Sequence, residues 1–362
     1  MKILLLSTVL EEQTFAEIVR DGHLRNPASQ NFYHRLLKAL QTVCDVRSIT
    51  PLPFPVHEEG EIKIASFKPS RFQPWAGAKA LVKRVTDSEA GHPDFILYDS
   101  LNLQCAKAAL QLEKKLGVPA IPVLTDDPSN LTGTGKIYRF LAKRLSAKRP
   151  AYIGLTNGLN KVFNSKEKPF LRFFGIADDY VAYPNPVQGP YFYYGGALYE
   201  KDGVGSLLRA YAQSKTTIPF YLAGHGPLAE QIMESAKSDE RIHFLGQIDR
   251  AQNAAYQQHA LVALNARHYR EALDNVSIPS KDLEYFANAT RIALTPSKPL
   301  MKEFCGDALW LPEDVGQLEK SLTEIFNQNG VNVPMNEAKE KIASLIGKEA
   351  IGKRIKDFLR SL

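Results

Sequence analysis

Short apolar runs alternate with amphipathic stretches along almost the whole chain. Residues 3–6 form an uninterrupted apolar run near the start, which is typical of a strand buried on both faces of a parallel sheet. Strand, helix and strand then recur at a spacing that favours parallel sheets with right-handed crossovers. The pattern predicts strands at 2–8, 93–99, 118–125, 151–156, 191–194, 219–223, 241–245, 261–265, 291–295 and 308–311.

The stretches between these strands carry apolar residues at helical spacing. A polar loop to about residue 30 precedes the first predicted helix, which places Phe32, Leu36 and Leu40 on one side. Residues 51–93 have weak periodicity, and they predict irregular structure with one helix near 78–85. The last predicted helix carries an apolar stripe of Ile351, Ile355, Phe358, Leu359 and Leu362.

A proline-rich segment divides the chain into two halves. Three prolines and one glycine fall within residues 184–190, which is typical of a linker between domains. A chain of 362 residues is long enough to give each half its own core. The sequence therefore predicts an α/β fold with two doubly wound Rossmann-like domains.

Composition indicates a globular protein with an uneven charge. The hydrophobic fraction is 44% and the charged fraction is 23%. No signal peptide or membrane span is expected, and three widely spaced cysteines predict reduced thiols rather than a disulfide framework or zinc site. Residues 1–187 contain 25 Lys and Arg against 18 Asp and Glu, whereas the remainder contains 20 against 21. The positive excess thus belongs to the first half.

Residues 275–289 predict an anion site at the start of a helix. A polar turn leads to Pro279, and Leu283 and Phe286 then fall on one apolar helical face. Backbone N–H groups and the positive end of the helix dipole favour an anion there, and Lys281 adds a full charge. Glu284, one turn later, could accept hydrogen bonds from hydroxyl groups of the same ligand. The alternative is a surface helix whose first turn is capped and solvated, with Glu284 paired to a cation.

This stretch resembles a segment of a known enzyme family. Residues 279–287 resemble the nucleotide-sugar-binding segment of GT-B glycosyltransferases, in particular the retaining family 4, also called glycosyl transferases group 1. Further similar segments occur in that family's order at 194–198, 200–203, 222–227 and 242–246. The resemblance covers most of residues 190–315 and extends loosely over the first half.

The resemblance implies a metal-independent glycosyltransferase with two domains facing a cleft. The implied reaction moves a sugar from a nucleotide diphosphate sugar, with UDP-sugar as the expected donor, to a glycan or lipid-linked glycan acceptor with retention of configuration. Bacterial-type cell-surface polysaccharide synthesis is the implied setting, and no cofactor is expected. Residues 1–187 would bind the acceptor, 188–340 would bind the donor, and 341–362 would form a helix that crosses back to the first domain.

Specific residues take roles under this resemblance. Cations and backbone dipoles would neutralise the leaving diphosphate, a task that falls to Lys201 and Lys281. Glu284 resembles the glutamate that holds the ribose hydroxyls, and Gly246 lies near the expected nucleotide base. The full set of implied donor contacts is Gly195, Gly196, Gly246, Asn275, Val276, Ser277, Ser280 and Glu284.

Polar residues of the first half are candidates for the acceptor side. Asp126 and Asp127 directly follow a predicted strand, and ligands bind outside the carboxyl ends of strands in open α/β sheets, so both are candidate catalytic residues. An Asx-turn before Pro128 is the structural alternative. Asn26, Ser29 and Gln30 are candidate acceptor contacts, and helix capping by Asn26 or Ser29 is the alternative.

Two departures from the family pattern keep other functions open. Ala197 stands where the family often has arginine, and Val276 stands where it has an acidic residue eight positions before Glu284. A non-catalytic GT-B subunit that activates a partner glycosyltransferase is therefore one alternative. A nucleotide-sugar epimerase, which shares the architecture, is the other.

A basic amphipathic helix is predicted within 135–149. This segment holds six basic residues and no acidic one, with Ile137, Phe140, Leu141 and Leu145 on one helical face. It could lie on an anionic membrane surface, or pack on the sheet with its charges solvated. A nucleic-acid partner is not expected, because no aromatic platform accompanies the charge. The expected location is cytoplasmic, with peripheral contact to the inner face of the cell membrane.

Overall fold

The chain forms two compact units. The computed structural model describes residues 1–21, 27–58, 60–69, 73–88, 91–131 and 133–362. The first unit comprises Met1–Ile176, Asn275–Ser277 and Leu345–Leu362, and the second comprises Ala177–Asp274 and Ile278–Ser344. The functions predicted for the domains 1–187, 188–340 and 341–362 stay predictions.

The first unit is built on a parallel sheet of seven strands in the order β3-β2-β1-β4-β5-β6-β7. New strands add on one side of β1 and then on the other, so the topological switch point lies between β1 and β4. Its elements are β1 (Lys2–Leu6), α1 (Glu12–Arg20), α2 (Pro27–Gln41), β2 (Asp45–Leu52), β3 (Ile62–Ser66), α3 (Gln73–Thr86), β4 (Phe95–Asp99), α4 (Leu103–Leu116), β5 (Ala120–Leu124), a 3₁₀ turn (Pro128–Asn130), α5 (Lys136–Ser146), β6 (Tyr152–Gly154), α6 (Asn157–Phe163) and β7 (Phe170–Arg172).

The second unit is built on a parallel sheet of six strands in the order β10-β9-β8-β11-β12-β13. Its switch point lies between β8 and β11. Its elements are β8 (Phe192–Ala197), a 3₁₀ turn (Glu200–Asp202), α7 (Val204–Gln213), β9 (Phe220–His225), α8 (Ala229–Ser238), β10 (Ile242–Gly246), α9 (Arg250–His259), β11 (Val262–Asn265), α10 (Glu271–Asp274), α11 (Ser280–Asn288), β12 (Ile292–Leu294), α12 (Lys298–Phe304), β13 (Leu309–Trp310), α13 (Val315–Asn327) and α14 (Lys339–Ile346), whose end passes into the first unit; α15 (Lys348–Arg360) follows.

The two parallel sheets confirm the predicted fold class, and two segments differ from the prediction. Residues 51–93 are not mainly irregular, because they hold the end of β2, the whole of β3 and a helix that begins at Gln73. Prolines at 51, 53 and 55 interrupt the apolar pattern there, and β3 is an edge strand with an exposed last residue. The loop predicted before residue 30 contains the short helix α1, of which Ile18 is the only buried residue in the described structure.

The last helix, α15, packs closely on α2 within the first unit. At Gly352, a β-carbon would lie 2.1 Å from the carbonyl oxygen of Ala39 and 2.9 Å from Oγ1 of Thr42. Both distances are shorter than a carbon atom tolerates, so the close approach of the two helices requires glycine. Ile351, Ile355 and Leu359 of the predicted stripe are buried.

Replacing Gly352 by alanine should therefore lower the free energy of unfolding by about 1–3 kcal/mol, the usual cost of overpacking a well-packed interface. The midpoint of urea unfolding, followed by circular dichroism, measures the change. Gly135→Ala is the matched control in the same unit, because a β-carbon at Gly135 would have no atom within 4 Å. Equal midpoints for Gly352→Ala and the control would contradict the described packing.

Candidate functional site

The end of β8 and the start of α11 meet at the switch point of the second sheet. Gly196 pairs in register with Gly224 of β9, and a β-carbon at Gly224 would lie 1.7 Å from the carbonyl oxygen of Gly196. A β-carbon at Gly196 would lie 2.5 Å from Cε and 2.6 Å from Nζ of Lys281. Gly196 also has φ of 153°, a value that L residues rarely adopt. Gly196 thus makes room for the ammonium group of Lys281, and Gly224 allows β9 to approach the Gly196 backbone.

The Lys281 ammonium is held over an aromatic ring. Its Nζ lies 3.7 Å from the ring centroid of Tyr194, within the range of a cation–π interaction. Burial lowers the pKa of Lys281 to about 8, an effect that the nearby carboxylates of Asp202, Asp282 and Glu284 oppose. Lys281 is therefore a largely desolvated cation at neutral pH. We call Tyr194, Gly195, Gly196 and Lys281 the Lys281 cluster.

Asp282 anchors the first turn of α11 to the end of β11. Its carboxylate is 1% exposed and accepts a hydrogen bond of 2.6 Å from Nδ2 of Asn265, the last residue of β11. Burial raises the pKa of Asp282 to about 6, although the bond from Asn265 and the charge of Lys281 favour the ionised form. A carboxylate in the first turn also suits the helix dipole. This pair fixes the position of Lys281, the residue next to it.

Tyr285 ties the glycine turn to the same helix. Its hydroxyl oxygen accepts a hydrogen bond of 3.1 Å from the backbone N–H of Gly195 and lies 3.4 Å from the carbonyl oxygen of Leu264. Tyr285 is fully buried. The sequence pattern did not single out Asn265, Asp282 or Tyr285. The sequence did contain a signal for two of them. Asn265 is a polar residue at the end of a buried strand, and Asp282 is an acidic residue at the start of a helix.

In the described part of the chain, the helix predicted after Pro279 is present, but the capping bond of the alternative interpretation is not. Ser280 is the first helical residue and is exposed, whereas Pro279 occupies the N-cap position and makes no side-chain capping bond. Within the described chain, therefore, a capping role for Ser280 is not observed. Glu284 is half-buried one turn later. The structure brings Gly195, Gly196 and Lys281 together, with Ser280 and Glu284 on the same short helix.

The other predicted donor contacts belong to other segments of the chain. Lys201 is exposed, with its Nζ 5.2 Å from the ring centroid of Tyr199. Gly246 ends β10 with φ of 66° and has open space at its β-carbon position. Asn275, Val276 and Ser277 group with the first unit, and Val276 is 8% exposed.

In the first unit, Asp127 acts as a local anchor. Its Oδ1 accepts a hydrogen bond of 2.8 Å from the N–H of Ser129 and lies 3.0 Å from Nζ of Lys143 on α5. Burial raises the pKa of Asp127, but the bonds from Ser129 and Lys143 outweigh it and leave the pKa below its ordinary value. Asp126 accepts a bond of 2.7 Å from the N–H of Asp127. The Asx-type turn that was the alternative is therefore present, and a catalytic role for either aspartate stays a prediction.

Two candidate acceptor contacts already have partners in the first unit. Gln30 is 3% exposed; its Oε1 accepts from the N–H of Leu10 at 2.9 Å, and its Nε2 donates to the carbonyl oxygen of Leu10 at 2.7 Å. Ser29 shares a hydrogen bond of 2.8 Å with Oγ1 of Thr8, just after β1. Gln30 thus bonds both backbone groups of Leu10, in the segment that follows β1, as a neighbouring strand would. Asn26 lies outside the described residues.

Helix α5 presents a mixed basic and apolar face. Ile137 is 76% exposed and Phe140 is 60% exposed, so these two residues of the predicted apolar face do not pack on the sheet. Leu145 instead packs against the core of the first unit. Tyr138 faces inward because its hydroxyl donates to the carbonyl oxygen of Leu101 at 2.5 Å. The outward residues at helical spacing are Lys136, Ile137, Phe140 and Arg144, which we call the α5 face.

The described residues offer no grouped metal ligands. Among residues 1–21, 27–58, 60–69, 73–88, 91–131 and 133–362, no three His, Cys, Asp or Glu side chains come close enough to hold a metal ion. Within the same ranges, no helix has the length and apolar character that crossing a bilayer requires.

Solved structures with the same architecture span the whole chain. Sucrose-phosphate synthase from Thermosynechococcus elongatus matches with a TM-score of 0.70 at 15% identity, covering 100% of this chain and 98% of the other. HepE from Anabaena in complex with UDP and glucose matches with a TM-score of 0.67 at 13% identity, covering 100% of each chain. The lipopolysaccharide outer core galactosyltransferase WaaB matches with 0.65 at 13%, covering 100% and 99%. At this identity the likeness shows the fold, which is the GT-B arrangement of two Rossmann-like units.

Enzymes of another kind share the fold at lower similarity. A putative UDP-N-acetylglucosamine 2-epimerase from Listeria monocytogenes matches with a TM-score of 0.58 at 11% identity, covering 98% of this chain and 94% of the other. No protein-family model matches the sequence, and no curated protein matches it.

Proposed function

We propose that the chain is a glycosyltransferase that moves a sugar from a UDP-sugar to a glycan or lipid-linked glycan. The observation that supports it best is the Lys281 cluster, where a desolvated ammonium lies against a glycine turn at the carboxyl end of β8. Ligands of open α/β sheets bind at such a switch point. Structural neighbours add support, because one of them was solved with UDP and glucose.

The residues present fit a leaving nucleotide diphosphate. Lys281 supplies a fixed positive charge, and α11 begins without a side-chain cap, so its first N–H groups can bind phosphate oxygens. Charge that develops on the leaving diphosphate is stabilised by such preorganised groups. Lys201 would add a second cation from the 3₁₀ turn, and Glu284 would accept hydrogen bonds from the ribose hydroxyls. In this proposal no metal ion is required, and transfer proceeds with retention.

The charge of Lys281 makes donor binding depend on pH. Because its pKa is lowered to about 8, the ammonium loses its proton as pH rises through that value, and attraction for diphosphate is lost with it. The dissociation constant for UDP should therefore rise roughly tenfold or more between about pH 7 and pH 9.5. Calorimetric titration across this range measures it. In Lys281→Ala the constant should stay flat, and an equally steep rise in that variant would contradict the assignment.

The acceptor side of the proposal rests on the α5 face. Two exposed apolar residues, Ile137 and Phe140, stand between Lys136 and Arg144, whose guanidinium lies 5.9 Å from the Phe140 ring centroid. Apolar side chains that enter the interface and basic side chains near anionic headgroups together favour surface binding. Such binding would hold the first unit at the inner face of the cell membrane, where the lipid-linked glycans used in cell-surface polysaccharide synthesis are anchored.

Replacing Ile137 and Phe140 together by glutamate should lower the bound fraction on phosphatidylglycerol vesicles at least about tenfold, since it removes apolar burial and adds repulsion. Vesicle sedimentation at modest salt measures the change. Val331→Glu is the control, because Val331 is 79% exposed in the second unit. Equal binding by the double variant and the wild type, or no binding by the wild type, would contradict the membrane assignment.

The two alternative functions would give different results with the same UDP-sugar. An epimerase is favoured by the epimerase neighbour, and a non-catalytic subunit by Ala197 and the buried Val276. The test incubates UDP-glucose, UDP-galactose and UDP-N-acetylglucosamine separately with the protein and follows products by proton NMR.

We expect slow release of UDP and free sugar to water, with the α-anomer appearing first, from one of the three donors. Lys281→Ala should abolish it. Conversion of one UDP-sugar to its epimer without UDP release would favour the epimerase, and no turnover of any donor would favour the non-catalytic subunit.

A further inference from the structure

A cavity lies at the amino-terminal edge of the first sheet. Its volume is about 420 Å³, and its wall includes Lys2 at the start of β1, Arg47 near the start of β2 and Pro93 just before β4. The carboxyl ends of these parallel strands are at the opposite edge of the sheet. The cavity is therefore separate from the polar residues that follow β1 and β5.

The lining combines apolar residues with several cationic ones. Ile3, Leu4, Val85 and Leu116 are the apolar residues of the lining, and its charged and ionisable residues come from different elements of the first unit: Lys2, Asp45, Arg47, His92 and Lys115. A concave, partly apolar site with a few converging polar groups is the usual form of a small-molecule site, and this volume is within the usual range.

Arg47 lies in this wall without an acidic partner. One of its terminal nitrogens donates to the carbonyl oxygen of Arg84 at 3.1 Å, and across the described part of the chain no carboxylate is within ion-pair distance of its guanidinium. Burial, and then the charge of Arg84, lower the pKa of Arg47. Lys2 adds its ammonium nearby, since Nζ would lie 3.1 Å from a β-carbon at Gly91. Two cations thus border a space that an anion can fill.

An adjoining groove extends the positive charge. Arg47 also borders a larger cavity of about 1090 Å³ beside β3 and α3. Its basic lining residues outnumber its acidic ones, Glu61 and Asp87, and Glu61 is already paired with Lys38 at 3.3 Å. The basic ones are Arg47, Lys63, Lys68, Lys79, Lys83 and Arg84. Six basic residues against two acidic ones give the lining an excess of positive charge, although Arg84 is already paired with Glu58 at 2.6 Å. Such an excess raises the local concentration of anions near Arg47.

We propose that the 420 Å³ cavity binds a phosphate monoester that carries an apolar group. Arginine recognises phosphate through two parallel N–H donors, and lysines at the rim add point charges. The apolar residues of the lining take the organic group, and Asp45 can accept a hydrogen bond from a hydroxyl on it. The phosphate can belong to a soluble metabolite or to a lipid headgroup. This site is independent of the proposed donor site in the second unit.

Phenyl phosphate is the probe for a soluble ligand, and dihexanoyl phosphatidic acid is the probe for a lipid. Each is titrated calorimetrically into the whole chain, with and without UDP. Arg47→Met and Lys115→Met keep most of the side-chain volume and remove the charge. Lys161→Met on α6 is the matched control, because Lys161 is exposed and does not line the cavity.

We expect phenyl phosphate or the lipid probe to bind, UDP to leave its affinity unchanged, and Arg47→Met to weaken it about tenfold or more. Lys115→Met should weaken it by a smaller factor, and Lys161→Met should not. If Arg47→Met fails to fold, Lys115→Met decides, since Lys115 is exposed near the end of α4. No binding of either probe at millimolar concentration, or equal affinity in wild type and the two cavity variants, would overturn the proposal.

Discussion

Replacing Lys281 by alanine should weaken UDP binding by about 30- to 150-fold. A hydrogen bond to a charged partner is worth roughly 2–3 kcal/mol in such a site, which corresponds to that factor. The ammonium is already desolvated over Tyr194 in the folded protein. An anion that binds there therefore has little water to displace from it. Turnover of the donor should fall at least as far, because the same charge stabilises the leaving diphosphate. Calorimetry and the NMR assay measure the two effects.

Lys237→Ala is the control for this substitution. Lys237 belongs to the same unit, its side chain is 72% exposed, and its ion pair with Glu234 lies on the surface of α8. Its removal should leave UDP affinity within a factor of about two, because exposed pairs contribute little. If Lys281→Ala and Lys237→Ala bind UDP alike, Lys281 is not a donor contact.

Replacing Gly196 by alanine should weaken UDP binding by about tenfold or more. A β-carbon at this position would lie 2.5 Å from Cε of Lys281, so the lysine side chain has to leave its place over Tyr194. The backbone conformation is also strained for any L residue, which costs on the order of 1 kcal/mol or more. A lower melting temperature should accompany the lost affinity.

A double-mutant cycle separates displacement of Lys281 from general damage. In a Lys281→Ala background, Gly196→Ala should cause little further loss of UDP affinity, because the group that it displaces is already absent. Gly306→Ala in the same unit is the control for adding a methyl group, since its β-carbon position is open. Additive losses in the double variant would contradict the contact between Gly196 and Lys281.

Most of the fold could be predicted because parallel strands carry a strong local signal. Apolar runs such as 3–6 and 262–264 are buried on both faces. Their short length, and the helical spacing of apolar residues in the stretches between them, distinguish them from helices. The signal failed where the burial pattern is weaker. β3 is an edge strand, and β2 contains Pro51 and several polar residues, so neither gives a continuous apolar run.

The site was predictable only in part, because its decisive contacts are distant in sequence. Ser280, Lys281 and Glu284 follow from local helix geometry. The hydrogen bond from Asn265 to Asp282, and that from Gly195 to Tyr285, join residues whose proximity depends on strand order. No local pattern encodes such a pairing.

Short polar side chains near strand ends also serve the backbone, which sequence alone does not separate from ligand binding. Gln30 and Asp127 both stand where a ligand contact is plausible. In the structure, Gln30 bonds both backbone groups of Leu10, and Asp127 caps a turn and pairs with Lys143. A buried backbone N–H or C=O must find a partner, and nearby amides and carboxylates are the usual ones.

The most direct measurement of the central claim is a thermal-shift titration with UDP, GDP and ADP. A ligand that binds only the folded state raises the melting temperature by mass action. We expect UDP to raise the midpoint of the wild type more than GDP or ADP does, and we expect Lys281→Ala and Glu284→Ala to remove that rise. No shift with any nucleotide at millimolar concentration, or a UDP shift that persists in both variants, would contradict a nucleotide-sugar site at the Lys281 cluster.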